Sequence, residues 1–380
     1  MKLIRLILAF SAAALFLSGC TAPWAGVHPP GGGKPSPGGA PSFGPAPPDT
    51  SYGADLNVQD LEKELGADKL APLFQGLGKA GIGYVRIALG WNAVQRQAAV
   101  WDFQTTDQIV RLATQNHLRI LAELGSTPAW DSTAPPGSAD AFAYPPKNWP
   151  DWTDYVTRMA ERYNGVVTAW KVMNEPYNLS RKVPAWTAPA YAKALGLAYE
   201  AVHAVEPDAT VISGCVWWHY APNGKQLQYF KSLVDDPRYP LYRNIDAFNL
   251  HLGQTPPDRQ AVWLQAAHRE MARDDGGRQL PIWVDETAYP ADRSQQNNPR
   301  YRNGPSSQAQ FLTGTMETLF RDPDVKHVFW TFAFDEAGGS AAETGATSGG
   351  LYAVPGKGQI QARPSLAAYA AYIRAHPAKG

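Results

Sequence analysis

Two glutamates stand where apolar runs give out. Glu175 lies in Asn174-Glu175-Pro176, directly after the run Val166 to Met173, and Glu286 closes Pro281-Ile-Trp-Val-Asp285. A carboxylic acid that protonates a leaving oxygen, paired with a carboxylate that attacks carbon, is what cleavage of a glycosidic bond requires. A lone Asn-Glu-Pro is a weak motif. Two carboxyls in the same setting weigh more, against the plainer alternative that Glu175 caps a loop and Glu286 pairs with a basic neighbour such as Arg86.

The elements that must position them read as strand alternating with helix. Short apolar runs predict strands over residues 52–56, 84–89, 118–124, 166–173, 210–216, 247–252, 282–285 and 326–332. Amphipathic stretches between them predict helices over 69–80, 106–116, 152–163, 189–205, 259–272 and 307–320. Eight such strands imply a parallel sheet covered by helices, and their number favours a closed (β/α)8 TIM barrel of the α/β class, as one catalytic domain over 51–376. Polar and aromatic residues gather just after the strands, where such a barrel carries its site: Trp91, Asn92, Trp130, Asn174, Glu175, Trp217, Trp218, His219, His251, Glu286 and Trp330. Glu175 then ends the fourth strand and Glu286 the seventh. Inward-pointing side chains there could bring their carboxyls to about 5 Å, the separation for double displacement with retention.

These residues resemble the retaining (β/α)8-barrel clan of glycoside hydrolases, in which Asn-Glu at strand four supplies the acid/base and a Glu at strand seven the nucleophile. The resemblance covers residues 51 to 373. It implies Glu175 as acid/base, Glu286 as nucleophile and Asn174 as partner of the sugar 2-hydroxyl. It also implies Arg86 on strand two as the arginine that keeps the nucleophile ionised, Trp330 on strand eight as a subsite floor, with Asp335 and Glu336 following, and His251 on strand six as a histidine near the nucleophile. Gly81-Ile-Gly-Tyr-Val-Arg86, Ser126-Thr-Pro-Ala-Trp130, the AWKVMNEP run ending at Pro176 and Arg363-Pro364-Ser365-Leu366 are most similar to glycoside hydrolase family 39 and exopolysaccharide glycosidases. One departure stands out. Where many relatives carry a Tyr two positions after the strand-six His, this chain has Gly253, which leaves Tyr220 or Tyr289 to bond the nucleophile, or nothing.

The physics asks different things of the two carboxyls. Glu175 must be protonated near neutral pH, through desolvation or the negative charge of Glu286, and Glu286 must stay ionised. Thirteen Trp and seventeen Tyr offer flat apolar faces suited to stacking on sugar rings as well as to packing. Trp91, Trp130, Trp149, Trp217, Trp218 and Tyr220 are expected at the mouth, and Asn92 either bonds a substrate hydroxyl or caps the next segment.

The 380 residues carry a formal net charge of zero, which gives no electrostatic case for nucleic acid. Gly76-Leu-Gly-Lys-Ala-Gly81 spells a dinucleotide pattern but precedes a strand, so it is a helix-to-strand turn. No GxSxG, P-loop, HExxH or His-x-His pair occurs, and Cys20 and Cys215 lack zinc-site spacing. Neither metal nor cofactor is expected, and Cys215 reads as a buried free thiol. A basic start, the apolar stretch Leu6 to Leu17 and Leu17-Ser18-Gly19-Cys20 read as a lipoprotein signal over 1–19, with Cys20 as the lipidated residue. Residues 20–50 are a Pro/Gly-rich tether. The expected protein is exported and lipid-anchored to a bacterial membrane, periplasmic or at the surface, touches the membrane through that anchor only, and is a monomer. Its partner is an oligo- or polysaccharide with β linkages. Transglycosylation on the same fold, or a non-catalytic carbohydrate-binding lipoprotein, are the competing functions.

Overall fold

The computed structural model of the chain describes residues 43, 45–56, 70–218, 224–274, 279–335, 348–355 and 359–377. The signal stretch with Cys20, and His219, Tyr220 and Glu336, lie outside the described residues, as do the side chains of Trp217 and Trp218.

The elements run β1 (Tyr52–Asp55), α1 (Leu70–Lys79), β2 (Tyr84–Ala88), α2 (Trp91–Val94), α3 (Gln104–Gln115), β3 (Arg119–Leu124), α4 (Trp149–Tyr163), β4 (Ala169–Val172), α5 (Pro176–Lys182), α6 (Ala188–Val205), β5 (Thr210–Ser213), β6 (Trp217–Trp218), α7 (Gly224–Val234), β7 (Phe248–Gly253), α8 (Pro257–Asp274), β8 (Ile282–Thr287), α9 (Pro305–Leu319), β9 (Val325–Trp330), β10 (Tyr352–Ala353), β11 (Gln361–Ala362) and α10 (Pro364–Ala375). The main sheet follows the order β5-β4-β3-β2-β1-β9-β8-β7-β6, with parallel pairing throughout. A parallel bridge between Ile212 and Ala247 brings β5 against the start of β7 and closes the ring. The expected (β/α)8 barrel is therefore the fold.

The fifth strand is the one that differs from expectation. It stops at Ser213 and resumes at Trp217. Between the two stretches Gly214 is tightly enclosed: a Cβ there would lie 2.7 Å from the Met173 carbonyl oxygen and 2.8 Å from the Pro176 ring, so the position admits no side chain. The Gly214 N–H is shared between the Val172 carbonyl at 3.0 Å and the Tyr191 hydroxyl at 2.7 Å, which itself donates to the Val172 carbonyl.

Successive strand residues point to opposite faces, and this alternation builds the barrel in two storeys. Tyr84, Leu121, Ala169, Ile212, Ala247, Trp283 and Phe329 form an apolar plug inside. Gly53 faces the same plug, and a Cβ there would meet the Phe329 ring at 2.3 Å. Two residues further along the strands the inward positions are polar: Asp55, Arg86, Glu123, Lys171, Asn249 and Asp285. Outward residues such as Val85, Ile120, Trp170, Val284 and Val328 join the main core beneath the helices. Helix α4 buries Trp152, Tyr155, Val156, Met159 and Tyr163 on one face, the spacing an amphipathic helix needs. Helix α10 closes the β1–β9 seam, its Tyr369 hydroxyl reaching the Gly53 carbonyl at 3.1 Å.

Residues 45–50, read from sequence as part of the tether, cross the floor of the barrel at the strands' N-terminal ends. Ala46 donates to the Gly165 carbonyl at 3.0 Å, Arg119 donates to the Pro47 carbonyl at 2.6 Å, and His327 Nδ1 meets the Thr50 carbonyl at 2.9 Å.

Candidate active site

At the opposite end the backbone departs from regular strand where the two glutamates need it to. Met173 and Glu175 take left-handed conformations, φ 60° and 43°, which cost of order 1–3 kcal/mol each for residues with a Cβ. The turn presents Asn174 and Glu175 together at the barrel mouth, and Pro176 starts α5 in the first helical position, where its missing N–H is no loss. On β8 the pairing with both neighbours slips: register shifts fall between Val284 and Thr287 on one side and between Leu250 and Gly253 on the other. An irregularity of this kind lets consecutive residues share a face. Asp285 and Glu286 both reach the same cluster of side chains.

His251 stands between the two glutamates. Its Nδ1 lies 2.8 Å from Glu175 Oε1 and 3.1 Å from Glu286 Oε2, and its Nε2 is 3.0 Å from Asp285 Oδ1. A carboxyl oxygen of Glu175, one of Glu286 and a ring nitrogen of His251 all lie within 4.8 Å of one another. The same three donor atoms could hold a metal ion, but as they stand they satisfy one another at hydrogen-bond distances. Asn178 donates to Glu175 Oε2 at 3.1 Å. Glu286 Oε1 accepts from Arg86 at 2.8 Å and from Asn174 Nδ2 at 3.3 Å.

These surroundings push the carboxyls apart in acidity. Burial drives the Glu175 carboxyl above its ordinary value and Glu286 adds to the rise, while His251 and Asn178 oppose it. Burial works against ionisation of Glu286 too, but His251, Arg86 and Lys171 outweigh it and hold that carboxyl below its ordinary value. Asp285, fully enclosed, is likewise desolvated yet held far down by Lys171, His251 and Arg86. Burial alone would lower His251, but Glu286, Asp285 and the bond to Glu175 raise it to about 9. Asp55 goes the other way: burial lifts it to about 8 although Arg86 lies 3.5 Å away.

Arg86, Asn174, Glu175, His251 and Glu286 are thus gathered in one cluster. The aromatic candidates are mostly elsewhere. Trp330 faces outward on β9, because His327 and Phe329 face in; it is fully enclosed, its Nε1 donates to the Gly349 carbonyl at 2.9 Å and its ring meets Phe311 of α9. The floor expected from this ring is not offered to the mouth. Trp91 is also fully enclosed, stacked on Tyr155 with its Nε1 bonded to Gln95. Tyr289 is buried against Phe311, and its hydroxyl reaches the Asn298 carbonyl at 3.4 Å, so it does not supply the missing bond to Glu286. Trp130 is half-buried, its edge on Trp91 and its Nε1 donating to the Gln95 carbonyl. Trp149 is half-buried at the start of α4, beneath Lys193. Asn92 is half-buried in α2. The backbone of Trp217, on β6, pairs with Leu250 of β7. Cys215 is buried and in no disulfide among the described residues.

Three residues of the cluster were not anticipated. Lys171 is fully enclosed, with Nζ 2.6 Å from both Asn174 Oδ1 and Asp285 Oδ2. Asp285 joins it to His251, and Glu123 accepts from Arg86 Nε at 3.2 Å. The signal was present in Trp170-Lys171-Val172: a lysine in mid-strand, two before the turn, must face either the core or the barrel interior.

Known proteins share both the barrel and part of the sequence. Residues 87–213 match the model of glycosyl hydrolase family 10. The middle third of the chain carries a glycosyl hydrolase signature. A family 39 glycoside hydrolase from Bacteroides cellulosilyticus superposes with a TM-score of 0.60 at 18% identity, over 85% of this chain and 63% of that one, so this chain spans less than two thirds of that protein. A monomeric β-xylosidase from Caulobacter crescentus gives a TM-score of 0.61 at 18% identity, over 88% of this chain and 70% of the other. A GH5_18 protein from Bifidobacterium longum, in complex with Manb1-4GlcNAc, gives 0.62 at 15% identity, over 86% and 78%. No curated protein sequence matches the chain. The resemblance to the barrel clan of glycoside hydrolases is met by the family 10 match in sequence, and the three solved structures share its fold.

Proposed function

We propose that this glycoside-hydrolase barrel cleaves β-linked oligo- or polysaccharide with retention, Glu175 serving as acid/base and Glu286 as nucleophile. The observation that carries the reading is the pair itself: carboxyl oxygens within 4.8 Å, with the acidity of Glu175 weakened and that of Glu286 strengthened by named neighbours. Double displacement uses a separation near 5 Å, whereas inversion needs about 6.5–9.5 Å to admit a water. Glu175 protonates the leaving oxygen while Glu286 attacks the anomeric carbon. Once Glu286 is esterified its charge is gone, Glu175 loses part of what kept it protonated, and it can take a proton from the incoming water. Arg86 and Asn174 aim Glu286, and His251 spans both groups. Export and anchoring through Cys20 belong to the same proposal and place the substrate outside the cytoplasm.

The test is turnover of a panel of aryl β-glycosides and polysaccharides by the chain from residue 21 onward, beside Glu175→Gln and Glu286→Gln. The proposal expects both variants to lose at least about a thousandfold, the first product to keep the β configuration by NMR, and azide to rescue the two variants with products of opposite anomeric form. Wild-type turnover with full activity in either variant, or inversion, sinks it.

A further inference from the structure

We propose that Lys171 is a positioning residue for the nucleophile: it fixes the orientation of the Asn174 amide toward Glu286 and offsets the charge of Asp285 beside it. The word nucleophile rests on the reading above; the geometry does not.

Lys171 is the inward residue of β4, and its ammonium spans the barrel to β8. An ammonium has three protons and no lone pair, so whatever it touches must present an acceptor. It takes Asn174 Oδ1 and Asp285 Oδ2, each at 2.6 Å, and lies 3.8 Å from Glu123 Oε2. The contact decides which way the Asn174 amide faces. With Oδ1 committed to Lys171, Nδ2 is left to donate to Glu286 Oε1 at 3.3 Å; a flipped amide would set donor against donor.

The second part concerns charge. Asp285 precedes Glu286 in the chain, has no exposure, and its negative charge disfavours ionisation of its neighbour. Lys171 is the nearest cation to it, ahead of His251 at 3.0 Å and Arg86 at 3.3 Å. The groups facing Glu286 are then Arg86 from β2, Asn174 and Glu175 from the end of β4, His251 from β7 and Asp285 from β8, with Asp55 of β1 and Glu123 of β3 beyond Arg86. Lys171 touches two of these and so acts on Glu286 without touching it. A compact ammonium on a four-carbon stem suits a site this enclosed better than a planar guanidinium.

The experiment compares wild type, Lys171→Met, and the paired Lys171→Met/Asp285→Asn, which removes both charges together and so avoids burying a lone one. The midpoint at which Glu286 titrates is read by carboxyl 13C NMR on glutamate-labelled protein, assigned with Glu286→Gln, and thermal unfolding is followed in parallel. Lys171→Met is expected to raise the midpoint by about one pH unit or more, and the paired variant to bring it back toward wild type. Where turnover is measurable, kcat falls more than KM rises in both variants, because both lose the lock on Asn174. A lowered melting temperature with an unmoved Glu286 midpoint overturns the proposal, as does a paired variant that titrates like Lys171→Met. If Lys171→Met does not fold, a paired variant with wild-type kcat overturns it, and one with reduced kcat and a wild-type midpoint supports it. The titration needs no turnover, so loss of the glycosidase reading would leave this test standing.

Discussion

Replacing Arg86 by Met is the most demanding trial of the electrostatics. Arg86 is 3% exposed and meets four carboxylates: Glu286 at 2.8 Å, Glu123 at 3.2 Å, Asp285 at 3.3 Å and Asp55 at 3.5 Å. Removing one partner of a buried ion pair costs about 3–5 kcal/mol. With an unfolding entropy near 2.1 cal/mol/K per residue, a barrel of roughly 300 residues then loses about 5–8 °C of melting temperature. The pH dependence carries the sharper signature. In the wild type Glu286 sits below its ordinary value, so it contributes stability above the ordinary carboxyl range, and that stability is lost as pH falls through the lowered value. Without Arg86 only His251 and Lys171 oppose burial, and Glu286 rises from its lowered value. The stability that Arg86 lent the ionised carboxyl above the ordinary range is lost, and Asp55, already raised to about 8, loses the cation that opposed its rise. Thermal unfolding followed by circular dichroism at pH 5 and pH 8 should show the larger deficit at pH 8, and kcat/KM near neutrality should fall at least about a hundredfold. An equal deficit at both pH values, or activity within tenfold of wild type, would refute the reasoning.

Asp55→Asn should flatten the dependence of melting temperature on pH between about 4 and 8. The raised pKa of about 8 means that Asp55 favours the fold below its unfolded value and loses that contribution as pH rises through 8; parallel curves for the two proteins would contradict it. Gly53→Ala should cost about 1–3 kcal/mol by overpacking, measured by urea unfolding, with much of the loss recovered in Gly53→Ala/Phe329→Leu because the nearest clashing atoms belong to that ring. Trp330→Phe should lower stability by about 1–2 kcal/mol for the lost Nε1 bond yet leave KM within about twofold; a large rise in KM would place the ring at the mouth after all.

The alternation of strand and helix was plain in the sequence, since each apolar run is short and each helix carries a one-sided stripe. Strand five reads as continuous because the run from Thr210 to Val216 is mostly apolar; the close approach of the Met173 carbonyl and the Pro176 ring to Gly214, in the gap between its two stretches, comes from chain distant in sequence. Position after a strand located Glu175, His251 and Glu286 but said nothing of direction. Trp330 therefore joined the expected mouth residues, although the parity set by Phe329 turns it outward. The same parity, applied to β4, would have exposed Lys171. Asp285 was hidden for another reason: beside Glu286 it should face the opposite way, and only the slipped register of β8 brings both inward.

The strap formed by residues 45–50 has a mechanical consequence. It binds the base of the barrel through Gly165, Arg119 and His327, so the upstream chain joins the barrel at the pole opposite the mouth. With Cys20 held in a bilayer, as proposed, any pull on the anchor loads these floor bonds and the plug above them, while the cluster around His251 stays outside the line of force. The tether then meets the barrel at its base, and the mouth stays clear of the point of attachment.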